Sequence, residues 1–231
     1  MCSMENVYVT SSKTDSSACE EYLKWYFDGD IWRETTFLGI NAAKSVSDMW
    51  NYQEILHQLK PTLVVEFGTH MGGSALYFST VMQTIGHDYK ILSVDIDHSR
   101  VDARVKDHDK IELMTSSSIK PEVATRIKQL RAEYPGRCFF ILDSDHSKKH
   151  VLAEMELIRP LIQEEDYLIV EDGCVNGHPV LPNWGEGPLE AIREYRSKYP
   201  NDFTHDIARE NKFGFTFAPG GFLVPNHNLG S

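Results

Sequence analysis

The sequence predicts an α/β protein built on a doubly wound, mostly parallel seven-stranded sheet with a terminal antiparallel strand. Short β-branched runs alternate with helix-length segments from Pro61 to Lys198, which is typical of right-handed crossovers between parallel strands. Two further β-prone runs follow with no clear helix between them, which favours a closing hairpin and one antiparallel strand. With 231 residues, 41% of them hydrophobic, the chain suits one large domain with a sizeable core.

Two helices are predicted before this alternation begins. Residues 19–27 are aromatic-rich and suit an amphipathic helix. A second helix is predicted over 47–59, with Ser47 or Asp48 as its N-cap and Pro61 just beyond its end.

The segment before these helices differs in composition. Residues 1–17 are rich in Ser and Thr and lack the apolar stretch that is typical of a secretory signal. They are expected to form a mobile leader. We therefore divide the chain into an N-terminal leader and helical extension, 1–45, and a main domain, 46–231.

The alternating elements follow in a regular order from Pro61 onward. Strands are predicted over 63–67, 91–94, 111–114, 138–142 and 167–170, with the two β-prone runs at 203–208 and 213–224. Helices are predicted over 74–85, 121–133, 151–161 and 188–198. The Gly- and Pro-rich segment 173–188 is expected to be a loop at the carboxyl ends of the strands, where open α/β sheets bind ligands.

Charge and cysteine content exclude several classes of protein. The formal charge of −11 argues against nucleic-acid binding and against docking to an anionic membrane. No apolar run approaches the roughly 18 residues that span a bilayer. The cysteines are irregularly spaced, so a zinc ribbon or a disulfide framework is not expected: Cys2, Cys19, Cys138 and Cys174. These features favour a soluble, cytoplasmic protein.

A glycine-rich segment, Glu66 to Ser74, directly follows the first strand of the alternation. Gly68 permits a tight turn, and Gly72 and Gly73 let backbone amides approach a ligand. The spacing is neither that of a P-loop nor GxGxxG. An acidic residue at the strand end suits a nucleoside ligand without a pyrophosphate and can hold an ammonium group. The alternative is a strand-to-helix turn with no ligand.

Polar residues also end the next two strands. Asp95 stands where nucleoside-binding proteins place a carboxylate on ribose hydroxyls. The following strand leads into a run of hydroxyl residues, 115–118, which can bond an adenine edge or, equally, cap a helix.

Acidic residues cluster after the fourth and fifth strands. The fourth ends at Asp143 and leads to Asp145, and the fifth ends at Glu171 and Asp172. Adjacent parallel strands would bring Asp145, Glu171 and Asp172 together, where a divalent cation relieves their repulsion and oxygen ligands favour Mg²⁺. Separate helix caps and surface acids are the alternative. Nearby histidines would recruit a softer metal such as Fe²⁺ or Mn²⁺: His146, His150 and His178.

Five segments of the chain resemble the cephalosporin hydroxylase / rhamnosyl O-methyltransferase family over 46–195. They are MWNYQEIL, KPTLVVEFGTHMGGSALYF, ILSVDID, LDSDHSKKHVLAEM and YLIVEDGCVNGHPVLPNWGEGPLEAI. The resemblance implies the Rossmann-like fold of class I S-adenosylmethionine-dependent methyltransferases. It also implies Mg²⁺-dependent O-methylation of a small polyhydroxylated metabolite, such as a sugar, glycoside or other natural product.

The resemblance implies cofactor-binding residues at four strand ends: Glu66, Gly68, Thr69, Gly72, Ser74, Asp95, Ser117, Ser118 and Asp143. Glu66, Gly68 and Ser74 would hold the methionine end of S-adenosylmethionine, and Asp95 would hold its ribose. The two serines would flank the adenine. Asp143 would face the cofactor amine or compete for a metal position.

The resemblance also implies a metal set and a catalytic base. Asp145, Glu171 and Asp172 would ligate Mg²⁺. The order of residues after Asp145 is similar to that of catechol O-methyltransferase, which ranks Lys148 first as base, followed by His146 and then His178. The base would deprotonate the acceptor hydroxyl while the metal lowers its pKa.

Two alternatives to methyl transfer remain open from sequence. A hydroxylase, or a hydroxylase partner, of the cephalosporin type would need Fe²⁺ and an oxidant, and the chain could instead be a non-catalytic binding protein. The aromatic N-terminal helix makes a homo-oligomer plausible. Trp50, Tyr52 and Trp184 are expected either to line the site or to pack in the core.

Overall fold

The computed structural model describes residues 16–229 and contains the predicted seven-stranded sheet. The strands are β1 (Thr36–Phe37), β2 (Ile40–Asn41), β3 (Leu63–Phe67), β4 (Lys90–Asp95), β5 (Ile111–Thr115), β6 (Cys138–Leu142), β7 (Tyr167–Val170), β8 (Phe203–His205) and β9 (Phe222–Pro225). The helices are α1 (Ser16–Asp28), α2 (Ile31–Glu34), α3 (Val46–Leu59), α4 (Gly73–Ile85), α5 (Ala103–Lys106), α6 (Pro121–Glu133), α7 (Lys148–Ile158), α8 (Pro188–Lys198) and α9 (Ile207–Glu210).

The large sheet has the order β5-β4-β3-β6-β7-β9-β8. Strands β3 to β7 pair in parallel, whereas β9 runs antiparallel to both β7 and β8. The chain moves outward in one direction from β3 to β5 and then returns to the other side of β3 with β6. This reversal opens a crevice at the carboxyl ends of β3 and β6. The predicted fold class is therefore confirmed.

Helices cover both faces of the sheet because its central strands are apolar on both faces. In β3, Val65 and Phe67 pack on the core beneath α6, α7 and α8, whereas Val64 packs on the core beneath α3 and α4. Glu66 shares the face of Val64 and is fully buried. A carboxylate in this position needs hydrogen-bond partners, which the functional site supplies.

The predicted and observed bounds agree closely in the second half of the chain. The bounds of β6, β7, α6 and α8 match residue for residue, because a proline or a clear apolar run marks each end. Helix α7 begins earlier than expected, at Lys148, and a 3-10 turn follows it at Arg159–Leu161. Of the β-prone run 213–224, only its end joins the sheet, as β9. Cys138 and Cys174 are buried free thiols.

Several features of the first half differ from the prediction. The N-cap of α3 is Ser45, so the expected cap at Ser47 or Asp48 was wrong. Asp48 instead turns inward and accepts hydrogen bonds from the Thr216 hydroxyl (2.6 Å) and the Phe217 amide (2.8 Å). The hairpin β1–β2 and the four-residue helices went unpredicted because they are too short to show a period. The expected leader, apart from the start of α1, lies outside the described residues, as does Cys2.

Helix α1 packs against the loops of the main domain. Leu23 and Tyr26 are buried on a small apolar cluster with Phe217, Val175 and Val180. Within residues 16–229, none of the helices combines the length and the apolar character that crossing a bilayer requires.

The buried carboxyl of Asp48 predicts a pH-dependent stability. Burial raises the pKa of Asp48 from 3.8 to about 7, although the bonds from Thr216 and Phe217 act in the opposite direction. The folded state therefore binds a proton more tightly than the unfolded state. This contribution to stability is fully present below about pH 4 and is lost as the pH rises through about 7.

The unfolding free energy of the wild type should fall between pH 5 and pH 8. In Asp48→Asn it should fall less over the same range, because the amide does not ionise. Urea unfolding at several pH values measures this difference. Asp88→Asn, at an exposed position with a lowered pKa, is the control and should follow the wild type over this range. Parallel curves for wild type and Asp48→Asn would contradict the prediction.

Candidate functional site

A cavity of about 790 Å³ opens at the carboxyl ends of β3, β4, β6 and β7. Its floor is formed by the residues that directly follow these strands. Its walls come from the α1–α2 segment, from the residues after β2, and from the loop between β7 and α8. The strand ends and the N-terminal segment thus surround a single space.

The glycine-rich loop is required by close packing at the cavity floor. Gly68 has a φ of +98°, and a Cβ atom there would lie 2.0 Å from the carbonyl oxygen of Asp143. A Cβ on Gly73 would lie 2.4 Å from the carbonyl oxygen of Asn41. Only glycine lets the strand ends and the β1–β2 hairpin approach so closely. Gly68 and Ser74, two of the residues predicted to bind a cofactor, line the cavity.

Glu66 supports the cavity floor from below. It accepts hydrogen bonds from the hydroxyl groups of Ser74 and, at 2.5 Å, Ser93. Burial raises the pKa of Glu66 to about 7, although Lys44 acts in the opposite direction. Among these residues, Ser74 is the one that reaches the cavity. In this structure Glu66 therefore does not face the cavity but holds the Ser74 hydroxyl group, which does.

Asp95 lies at the cavity edge, where the sequence predicts the ribose-binding carboxylate. Its Oδ2 atom accepts hydrogen bonds from the backbone amides of Thr69 (2.9 Å) and His70 (3.0 Å). The carboxylate therefore also fixes the glycine loop against β4. Thr69 itself is buried and bonds through its hydroxyl to Ser93 at 2.7 Å, so its side chain holds the loop from inside.

The two serines expected at the adenine lie below the surface of the cavity or beside it. Ser118 is buried and donates to Glu154 at 2.5 Å. Neither Ser117 nor Ser118 lines the cavity, whereas Ser144, which the sequence analysis did not single out, does. Ser144 also donates to Glu154, at 2.5 Å.

Three metal-ligating side chains meet at the ends of β6 and β7. Donor atoms of Asp143, His146 and Asp172 all lie within 4.8 Å of one another, and all three residues line the cavity. His146 Nδ1 lies 3.2 Å from Asp172 Oδ2. Burial raises the pKa values of both Asp143 and Asp172. Burial alone would lower the pKa of His146, but Asp172 and Asp143 raise it above its usual value.

The structure separates the other two predicted metal ligands from this cluster. Asp145 is exposed, and its Oδ1 accepts the backbone amide of Ser147 at 2.8 Å. Glu171 is buried, and its Oε1 accepts from Lys44 (3.0 Å) and Tyr52 (2.8 Å). Asp172 is therefore the residue shared by the set predicted from sequence and the cluster found in the structure.

Lys44 is a further component of the site that the sequence did not reveal. Its side chain is 1% exposed, and its ammonium group bonds Asp143 Oδ2 at 2.5 Å and Glu171 Oε1 at 3.0 Å. Burial disfavours its charged form, but Asp143 and Glu171 outweigh burial and raise its pKa above the usual value. Burial also raises the pKa of Glu171 to about 7, with Asp143 acting in the same direction. Lys44 therefore neutralises part of a dense group of buried carboxylates.

The three candidate bases occupy different surroundings. Lys148 bonds Glu186 and Glu194, each at 3.0 Å, and these partners raise its pKa. His178 bonds Glu190 at 2.6 Å and so ties the β7–α8 loop to α8. Of the three, only His146 lines the cavity.

The aromatic candidates separate in the same way. Trp184 lines the cavity, and its indole nitrogen donates to the carbonyl oxygen of His146 at 3.3 Å. Tyr52 is a core residue that bonds Glu171, and Trp50 is 61% exposed on α3. The cavity also has a second tryptophan, Trp32 of α2, which the sequence analysis passed over.

Comparison with known proteins agrees with this arrangement. A family model described as Rhamnosyl O-methyltransferase/CmcI matches residues 29–225. The rhamnosyl O-methyltransferase of Mycobacterium leprae is 56% identical over 211 residues, covering 91% of each chain. That of Mycobacterium tuberculosis is 54% identical over 214 residues, covering 93% of this chain and 87% of the relative. A structure of CmcI with Mg and SAM has a TM-score of 0.66 at 23% identity, covering 84% of this chain and 77% of the other, and so shares the fold.

Fold and site together define a class I S-adenosylmethionine-dependent O-methyltransferase. The chain belongs to the rhamnosyl O-methyltransferase/CmcI family, which confirms the resemblance seen in its sequence.

The burial of Lys44 predicts a large effect on stability. Lys44→Met removes the shared cation and leaves Asp143 and Glu171 buried without it, which should lower the unfolding free energy by about 3–5 kcal/mol. Urea unfolding measures the change. Lys198→Met, which breaks the exposed pair with Glu156, is the matched control and should change stability little. A Lys44→Met protein as stable as the wild type would refute this role of Lys44.

Proposed function

We propose that this protein transfers the methyl group of S-adenosylmethionine to a hydroxyl of a rhamnosyl unit in a small glycoside, with Mg²⁺ bound at the ends of β6 and β7. The observation that carries the proposal is the single cavity in which the glycine loop, Asp95 and the Asp143–His146–Asp172 cluster meet. The sugar is inferred from the relatives, which are rhamnosyl O-methyltransferases at more than half identity.

The chemistry of the donor set fits a divalent cation. Two half-buried carboxylates with raised pKa values lie beside each other, so a cation there would relieve their repulsion. Mg²⁺ prefers oxygen ligands and keeps several waters. We therefore assign Asp172 and Asp143 as its ligands, and Asp145, exposed on the same loop, is the rival that the sequence predicts. When bound, the cation would lower the pKa of an acceptor hydroxyl and orient it.

His146 is the proposed general base. Because Mg²⁺ favours the carboxylate oxygens, the imidazole remains available for proton transfer. Asp172 engages its Nδ1 atom, which orients the ring and leaves Nε2 to accept a proton from a hydroxyl in the cavity. The carboxylates around it favour the protonated imidazole that this transfer produces.

The remaining walls of the cavity suit a sugar acceptor. Trp184 and Trp32 provide aromatic surfaces, and Asp28, Asp30 and Arg33 add polar groups at the side formed by the N-terminal segment. Aromatic surfaces beside polar groups can contact both the ring face and the hydroxyl groups of a sugar. The glycine loop and Asp95 hold the cofactor at the opposite side, so the two substrates would meet above His146.

The hydroxylase alternative has less support from the donor set. Iron oxygenases of the facial-triad type use two histidines and one carboxylate, whereas the cluster found among residues 16–229 has one histidine and two carboxylates. A purely binding protein would not need an imidazole, that of His146, beside carboxylates whose charge Lys44 partly neutralises. We also propose that the protein acts in the cytoplasm, a reducing compartment that suits the buried free thiols of Cys138 and Cys174.

The metal site is tested by three substitutions. We expect Asp172→Asn to abolish Mg²⁺-stimulated methyl transfer, and Asp143→Asn to weaken Mn²⁺ binding by about tenfold to a hundredfold or more, since each removes a ligand. Asp145→Asn should have a much smaller effect.

Calorimetry with Mn²⁺ measures the metal affinity of each variant, and S-adenosylhomocysteine binding serves as the control for an intact fold. Strong loss with Asp145→Asn and little with Asp143→Asn would instead favour the set Asp145, Glu171 and Asp172. Methyl transfer that persists in EDTA would exclude the metal role.

The assignment of the base is tested separately. His146→Gln should lower kcat by about a hundredfold or more, because the general base is lost. Lys148→Met should change kcat only a few-fold, since Lys148 is held by two glutamates outside the cavity. Steady-state rates with radiolabelled S-adenosylmethionine and a rhamnosyl glycoside measure both. A larger loss of kcat in Lys148→Met than in His146→Gln would instead identify Lys148 as the general base.

A further inference from the structure

Glu154 of α7 is a fully buried carboxylate that the proposed mechanism does not use. Its Oε1 atom accepts hydrogen bonds from the hydroxyl groups of Ser118 and Ser144, both at 2.5 Å, and lies 3.4 Å from His150 Nε2. Its Oε2 atom has no hydrogen-bond partner within the described part of the chain. All of its bonding is therefore directed to a single cluster next to the cavity.

The carboxylate fixes the direction of these hydrogen bonds. A carboxylate only accepts hydrogen bonds, so both serine hydroxyl groups donate their protons to Glu154. Ser118 is buried, and its oxygen also lies 2.9 Å from His150 Nε2, so its bonding capacity is used inside the protein. Ser144 lines the cavity and has only its lone pairs left for a ligand. At this point the cavity presents an obligate acceptor.

The position of Ser144 matches the base of the cofactor in the proposed function, on which this inference rests. With Asp95 at the ribose, the base extends toward the loops that follow β5 and β6. Ser118 lies in the first of these loops, Ser144 lies in the second, and their oxygens are 3.4 Å apart. Ser144 is the hydroxyl that this pair exposes to the cavity.

We propose that Glu154 makes the cofactor site selective for a purine with an exocyclic amine, because it forces Ser144 to act only as an acceptor. The 6-amino group of adenine donates a hydrogen bond and so matches Ser144. A 6-keto purine presents an oxygen at the same place, where two acceptors would face each other without a proton. Glu154 is a specificity-determining residue that acts through Ser144 and does not touch the ligand.

Calorimetry with two product analogues tests this proposal. S-inosylhomocysteine differs from S-adenosylhomocysteine in having a 6-keto group with a proton on N1. The wild type should bind the adenosyl compound at least about tenfold more tightly, as expected when a buried polar group loses its partner. In Glu154→Gln the side-chain amide can donate to Ser144, whose hydroxyl is then free to donate to a ligand. The preference should fall below about threefold.

Two further variants make the test decisive. Ser144→Ala removes the acceptor itself and should also abolish most of the preference, which keeps the proposal testable if Glu154→Gln fails to fold. Glu156→Gln, on the same helix but in an exposed pair with Lys198, should keep the wild-type ratio. Equal binding of both analogues by the wild type, or an unchanged ratio in Glu154→Gln and Ser144→Ala, would overturn the proposal. A wild type that does not bind S-adenosylhomocysteine would overturn the proposed function and this inference with it.

Discussion

The ammonium group of Lys44 lies between the ends of β6 and β7 and bonds a carboxylate from each. Asp143 and Glu171 are too poorly solvated there to remain ionised side by side without compensation. By bridging them, the lysine holds two strand ends at a fixed separation. Asp143 and Asp172 both line the cavity beside His146. The geometry of the candidate metal site thus depends on a buried lysine that bonds one of the proposed ligands, Asp143, from behind.

The sheet topology places this ion-pair network next to the cofactor loop. Because the chain reverses direction between β3 and β6, the glycine loop after β3 and the acidic loop after β6 are neighbours. Their contact is tight, since Gly68 packs directly on the backbone of Asp143. The two loops are therefore in direct contact through their backbones. This arrangement explains how a cofactor and a hydroxyl acceptor can share one cavity.

The sequence predicted the parts of the molecule that have a local signal. Strands β6 and β7 are apolar runs with an acidic residue at their ends, so both the strands and the acidic edge could be predicted. Lys44 could not, because its partners lie 99 and 127 residues away and its own segment has no periodic pattern. The same limit applies to Glu154, which has the appearance of an ordinary charged residue on an amphipathic helix. The run 213–224 was misjudged because Asp48 and α1 use its first half as packing partners.

A crystal structure with S-adenosylhomocysteine and Mn²⁺ tests the central claim most directly. The anomalous signal of manganese would locate the cation independently of the protein coordinates. We predict one peak coordinated by carboxylate oxygens of Asp172 and Asp143, with the sulfur of S-adenosylhomocysteine facing the same space above His146. A cavity that holds the cofactor product with no manganese peak at these carboxylates would contradict the claim that the strand-end acids form the catalytic metal site.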